Sequence, residues 1–383
     1  MFPDAGKIKQ KRILLVHLVS LGDCLYATAV ARQIKQDYPG CHLTWAISNR
    51  CSQVVQNNPY VDEIWEVFTE KMSDAWGKAW EETKKKAIEK KEMGLYDYVF
   101  FTQIYPDNFY NYDGTIRSTI FGGYPNPITV PVSPVIVLTD IEIENVNEFA
   151  KRYNLDKFKH VILFESSPGS GQSAVNNEFA YTISEKIVDR FKDSIIILTS
   201  NQKINTGHAR IIDASVLTFR ENAELSKHCD LLIGCSSGIT WLLTSTWAKK
   251  IPTIQILKKR ALFFEFASLS YDLNYWGQST DHIIEITKIE DKYIFDCVKM
   301  TLENGVEKTK EKYNEKLKPS DLSLVLFIES LISAKKFRKI LDVSKKFYNG
   351  NKDPSVIYKI YYVLASAIIL YPLVFMYRKI KYP

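Results

Sequence analysis

Three loops in the sequence carry residue types that could do chemistry. The first is Ser20-Leu21-Gly22-Asp23. A short apolar run at residues 13–16 precedes it, and Leu25, Ala27, Val30 and Ile34 follow at helical spacing. The pattern predicts a strand, a tight turn and a helix. Glycine lets the backbone turn closely there. Asp23 then has two readings: a cap on the first helical turn, or a general base in a partly closed cleft. The second loop is Cys235-Ser236-Ser237-Gly238-Ile239-Thr240, after an apolar strand and at the start of a helix. Free N–H groups and the positive end of the helix dipole suit such a loop to phosphate; the plainer reading is a serine cap. The third loop holds Ser166, Ser167, Gly169, Ser170 and Gly171, again after a strand. It is not a Walker loop, because no Gly-Lys-Ser/Thr follows, and no G-x-G-x-x-G follows the first strand. P-loop NTPase chemistry and classical dinucleotide binding are both disfavoured.

The elements around these loops read as two similar halves. Residues 13–16, 42–47, 61–67 and 96–102 are predicted strands, and residues 72–93 a Lys/Glu-rich surface helix with Trp76 and Trp80 one turn apart. The rhythm restarts after Asp156. Strands are predicted at 161–164, 194–199, 210–213, 231–235 and 251–257, and helices at 179–191, 221–228 and 239–248. Apolar strands without alternation, separated by helices, predict parallel doubly wound sheets. The fold class is α/β, with a boundary near residues 140–160. Ligands in such sheets bind beyond the carboxyl ends of the strands, where all three loops fall. Residues 105–134 break the rhythm, with Tyr105, Phe109, Tyr110, Tyr112 and Tyr124 among Pro, Asn, Asp and Gly. A long loop of this kind is either functional or packs its own aromatics. Residues 322–332 and 340–347 read as helices. Residues 360–377 carry no charge and are flanked by Lys359, Arg378, Lys379 and Lys381.

The chain's 383 residues suggest two domains and a remainder. At 46% hydrophobic and 25% charged, it is not a disordered, fibrous or polytopic membrane protein. A net charge of +6, spread along the chain, suits an acidic ligand or an anionic membrane surface. It is too weak to argue for nucleic acid. The six cysteines form no C-x-x-C pair and read as reduced, buried thiols. The histidines are scattered, so no metal site is expected. No long apolar region follows the first basic residues, and the expectation is a protein without a signal peptide, kept in the cytosol.

The stretch from Ile13 to Asp23, the helix after it, and Asn57-Asn58-Pro59-Tyr60-Val61-Asp62 resemble the start of the family 9 glycosyltransferases, which include the lipopolysaccharide heptosyltransferases. The second half is similar too: residues 217–226 and then 230–240 look like the family's donor-site segment, and Ile251-Pro252-Thr253 like the strand after it. The resemblance covers roughly residues 11–290. It implies the GT-B fold, two Rossmann-like doubly wound domains facing a central cleft. Residues 1–150 would bind the acceptor, residues 151–305 the nucleotide-sugar, and residues 306–383 would form a helical extension.

The resemblance further implies an inverting, metal-independent transferase. It would move a heptose or another hexose-type sugar from a nucleoside-diphosphate donor to lipopolysaccharide or another cell-surface glycan. The nucleotide-sugar is a co-substrate, and no cofactor is expected. Asp23 matches the family's base. The donor diphosphate is expected on Ser236, Ser237, Gly238 and Thr240, with Ser166, Ser167, Gly169, Ser170 and Gly171 nearby. The acceptor is expected against Ser20, Gly22, Tyr105, Tyr110 and Arg117, with rings stacking on sugars and the guanidinium pairing with a phosphate or carboxylate. The chain departs from the family at two places. Ser236 to Trp241 stands where the family has Asp-Thr-Gly-x-x-His, and Val175 to Phe179 lies where it has Lys-x-Trp-Pro. The donor sugar therefore stays open, as do a GT-B sugar-nucleotide epimerase or hydrolase and a non-catalytic glycan-binding or scaffold relative. Residues 360–377 would span ~27 Å as a helix, just under a ~30 Å hydrocarbon core. Tyrosines crowd both ends, and Pro372 would kink it. A membrane-associated helix at the cytoplasmic leaflet is expected, near a lipid-linked acceptor; the alternative is a helix packed across the two domains.

Overall fold

The computed structural model describes residues 10–200, 202–258 and 268–318, with 327, 328, 331, 332, 340–342, 344 and 358. The first half forms a parallel sheet of β1 (Arg12–Val16), β2 (His42–Ser48), β3 (Glu63–Val67) and β4 (Tyr98–Phe101), in the order β3-β2-β1-β4. In the central strand Leu14 stands opposite Thr44 and Val99. Ile13, Leu14, Leu15 and Val16 are all fully buried, which is why the run does not alternate. Its helices are α1 (Leu21–Asp37), α2 (Lys78–Glu92), α3 (Ile116–Phe121) and α4 (Asp140–Arg152). The predicted helix over 72–93 is broken: a 3-10 turn, Met72–Trp76, ends at Gly77 before α2 begins. Trp80 is fully buried while Trp76 stays on the surface.

The second half holds β5 (His160–Glu165), β6 (Ser194–Thr199), β7 (Ile211–Asp213), β8 (Leu231–Gly234), β9 (Thr253–Ile256) and β10 (Ile283–Ile286). These form one parallel sheet in the order β10-β9-β8-β5-β6-β7. Its helices are α5 (Asn177–Arg190), α6 (Glu221–Leu225), α7 (Gly238–Leu242), α8 (Leu269–Tyr275), α9 (Asp291–Asn304) and α10 (Val306–Tyr313). Both sheets reverse strand order beside their first strand, between β1 and β4 and between β5 and β8. A parallel sheet opens a crevice at such a switch point. The turns after β1, β5 and β8 are therefore the places to look for a ligand.

Two buried arginines join the halves. Arg220 donates from Nε to Glu142 Oε1 at 2.6 Å and from Nη1 to the carbonyls of Gln53 and Gln56 at 2.9 Å, and Nη2 reaches the Val137 carbonyl. Arg117 lies 2.9 Å from Asp272 through Nε and donates to Gln278 Oε1 at 3.0 Å. Tyr275 adds a bond to Asp113 Oδ2 at 2.7 Å. The helix α4 carries Glu142, and its Asn145 donates to Glu221 of α6, so α4 packs on the second half. So does the start of the predicted extension: Asn314 Oδ1 and Glu315 N bond the two main-chain groups of Glu285 at 2.8 Å. The predicted helix over 360–377 lies outside the described residues. Among the described residues no helix is long and apolar enough to cross a membrane. All six cysteines are free and buried.

Candidate functional site

Asp23 occupies the turn after β1. Ser20 caps α1, and Asp23 Oδ2 accepts from Ser20 N at 3.2 Å and Ser20 Oγ at 3.1 Å. The capping role is thus filled by one carboxylate oxygen. Both bonds land on Oδ2, so Oδ1 stands outside the cap. Burial raises the carboxyl from 3.8 to about 6, against the pull of the two Ser20 bonds, which puts it in the working range of a general base. Gln103, just past β4, holds this turn: its Oε1 accepts from Leu18 N at 3.0 Å and Val19 N at 3.3 Å. Its Nε2 donates to the carbonyls of Ala75 and Tyr105 at 2.9 Å. Sequence reasoning misses Gln103; the available signal is a polar residue directly after a strand that borders the switch point.

The turn after β8 faces Asp23's turn across the domain boundary. A Cβ built on Gly238 would stand 3.0 Å from Phe219 Cε2 and 3.8 Å from Leu21 Cβ. Ser236 sits in the left-handed region at φ 50° and donates its N–H to Gln255 Oε1 at 2.8 Å. Beneath it lies Glu165, at the end of β5, which the sequence reading also misses. Its carboxylate accepts from Cys235 N at 2.8 Å, Ile239 N at 3.1 Å and Thr240 Oγ1 at 2.8 Å. Burial raises this carboxyl too, and those bonds pull it back. Thr240, expected to touch the donor, instead has its hydroxyl on this internal carboxylate. Two N–H groups that could have met a phosphate are likewise filled from inside. The N–H groups of Ser237 and Gly238 have no acceptor among the described residues and are the turn's remaining main-chain donors.

The turn after β5 divides in the same way. Ser166 is fully buried, and its N–H and hydroxyl both donate to the Thr199 carbonyl, at 3.2 and 2.9 Å. It ties β5 to β6 and is not offered to a ligand. Ser167, Gly169 and Gly171 are exposed. Ser170 Oγ accepts from Gln172 N at 3.2 Å, and Gly171 takes φ +67°, which its lack of a side chain permits. The Gln172 carbonyl accepts from Lys258 N at 2.9 Å. That bond fixes an exposed lysine, just past β9, beside the glycine and serine turn.

Arg117 departs from its expected place. It is 0% exposed, stacked 4.5 Å above the Tyr26 ring and paired with Asp272. Its charge is balanced within the protein, so it does not line an open groove. Tyr105 remains 56% exposed. Tyr110 meets Phe109 at a centroid distance of 3.7 Å, with the rings tilted. Asp107 accepts from Trp80 Nε1 at 3.1 Å and Lys84 Nζ at 2.8 Å, which anchors the aromatic loop next to Gln103. Gly22 borders Trp241 of the second domain, whose Cδ1 would lie 3.3 Å from an added Cβ. Among the described residues no group of three or more His, Cys, Asp or Glu side chains is placed to hold a metal ion.

No family model matches the sequence, and no curated protein is similar enough to be matched. Solved structures do match. A family 9 glycosyltransferase from Veillonella parvula superposes with a TM-score of 0.54 at 15% identity, over 79% of this chain and 96% of the other. The ADP-heptose lipopolysaccharide heptosyltransferase II of E. coli gives 0.50 at 12% identity, over 78% and 99%. The sheet orders, the facing turns and these likenesses together identify the GT-B fold: two Rossmann-like domains meeting across the turns that hold Asp23 and Gly238.

Proposed function

We propose that the chain is a glycosyltransferase that moves a sugar from a nucleoside-diphosphate donor to a hydroxyl of a glycan acceptor, with Asp23 as the base. One observation carries this reading: a half-buried carboxylate at the switch point of the first sheet faces a glycine and serine turn at the switch point of the second. The solved structures that share the fold are described as a glycosyltransferase and a heptosyltransferase, which supports the class. In the step, the acceptor oxygen attacks the anomeric carbon while its proton passes to Asp23 Oδ1. The bond from that carbon to the diphosphate breaks, and the configuration inverts. Negative charge grows on the leaving phosphate. The Ser237 and Gly238 N–H groups, the Ser167 to Gly171 turn and Lys258 are suited to hold it without reorganisation. No step in this scheme calls for a metal. The donor sugar is a heptose or another hexose-type sugar. The aromatic loop with Tyr105 lies on the acceptor side.

The acceptor is lipopolysaccharide or another lipid-linked glycan at the cytoplasmic leaflet. The uncharged run at 360–377 with its basic flanks supports a membrane-associated enzyme. The test is a panel of nucleotide-sugars incubated with and without glycan acceptors. Transfer with inversion at the anomeric carbon is expected. Donor hydrolysis or epimerisation that ignores the acceptor would replace this reading with a hydrolase or epimerase. Binding without turnover would replace it with a glycan-binding or scaffold role.

A further inference from the structure

Trp241 has no part in the step above, yet it stands at the domain boundary. It belongs to α7 of the second domain, and its indole is buried against α1 of the first. The ring meets Tyr26 edge to face at a centroid distance of 4.8 Å. It lies so close to Gly22 that an added Cβ would come within 3.3 Å of Cδ1. Gly22 and Tyr26 are four residues apart and share one helix face. Asp23 lies in that same turn, three residues before Tyr26. The indole therefore roofs the flank of the base's own turn, and it is only 6% exposed. A tryptophan buries about 150–250 Å² of surface, and here much of that cover depends on the two domains being together.

We propose that Trp241 is a positioning residue, reaching over from the second domain to shield one flank of the Asp23 turn from water, so that the half-buried base is more desolvated when the domains meet. The inference rests on the glycosyltransferase reading for its purpose, but its geometry stands apart from it. Gly22 is the complementary half of the device, since any side chain there would meet the ring. The groups around the carboxylate leave burial as the governing influence. On α1 itself the titratable neighbours are Cys24 and Tyr26, and Cys51 faces Cys24. Arg117 of α3 and Asp272 of α8 face Tyr26 and pair with each other at 2.9 Å. The helix α7 brings no charge. Burial is the leading cause of the raised Asp23 carboxyl, and no charged neighbour is among its causes. A cover that removes water acts on that cause directly.

The test is a carboxyl titration of the full chain labelled with carbon-13 aspartate, the Asp23 resonance being identified by its loss in Asp23→Asn. In Trp241→Ala the midpoint should fall by about one unit or more toward the ordinary range, while Trp241→Phe keeps most of the shift. Gly22→Ala should lower the midpoint in the wild-type background and leave it unchanged in Trp241→Ala. With a nucleotide-sugar that the wild type accepts, Trp241→Ala should lose ~10-fold in kcat, with the acid limb of the pH profile moving down and nucleotide affinity kept. An Asp23 midpoint that stays in place when the indole is gone overturns the proposal. A wild type that turns over no nucleotide-sugar overturns the enzyme reading instead, and the titration still decides what Trp241 does.

Discussion

Replacing Asp23 by Asn should stabilise the folded protein at neutral pH and lose that advantage in acid. Burial raises the folded-state carboxyl from 3.8 to about 6. Above pH 6 the group is charged in both folded and unfolded chains, and the folded state bears the cost of partly withdrawing that charge from water. Below 3.8 it is neutral in both, and the cost is gone. A displacement of that size corresponds to about 3 kcal/mol at most. Asn keeps an oxygen to accept from Ser20 and cannot ionise. The Asp23→Asn chain should therefore show a higher urea midpoint than wild type at pH 7.5, with the gap closing between pH 6 and pH 4. The assay is a pair of denaturation curves at each pH, read as a difference so that the acid sensitivity of every other carboxylate cancels. A gap that is constant with pH, or that widens in acid, would refute the claim that this carboxylate is held charged against its burial.

Other outcomes follow from the same geometry. Arg220→Ala strips a buried cation from Glu142 and from three carbonyls of the first domain; breaking such a pair costs ~3–5 kcal/mol, measurable as a fall in the unfolding midpoint. Gly238→Val pushes its branches toward Phe219 and Leu21 and should weaken nucleotide binding at least ~10-fold, while overpacking costs the fold about 1–3 kcal/mol; calorimetric titration with nucleoside diphosphates checks it. Activity should survive chelation by EDTA. Loss on chelation that Mg²⁺ or Mn²⁺ restores would bring a metal into the mechanism.

The fold was legible in the sequence wherever an apolar run is buried on both faces. Residues 13–16 and 231–235 read as inner parallel strands, and the structure has them as Arg12–Val16 and Leu231–Gly234 with the turns after them. Helix ends were less legible. The helix predicted over 239–248 stops at Leu242. The Thr244 hydroxyl takes the Trp241 carbonyl at 2.7 Å, and Ser245 Oγ accepts from Ala248 N at 3.4 Å. Local hydroxyl bonds outcompeted the helix. At the site, both readings of Asp23 are local, and the structure realises the cap through Oδ2. Arg117 reads as a groove residue in the sequence because its buried partner Asp272 lies 155 positions away, and no local pattern announces such a pair. Glu165 gives no signal for the same reason: it stands just past the strand predicted at 161–164, at the head of the glycine and serine loop, and its partners at 235–240 are brought to it only by the order of β5 and β8.

The central claim, that Asp23 takes the proton in a sugar transfer, is tested most directly by single-turnover release of nucleoside diphosphate from wild type and Asp23→Asn, with donor affinity measured on both. The expected result is a loss of ~10²–10⁴-fold in the transfer rate, the range for removing acid–base assistance, with the donor bound as tightly as before. An Asp23→Asn chain that is folded, binds donor and transfers at the wild-type rate would contradict it.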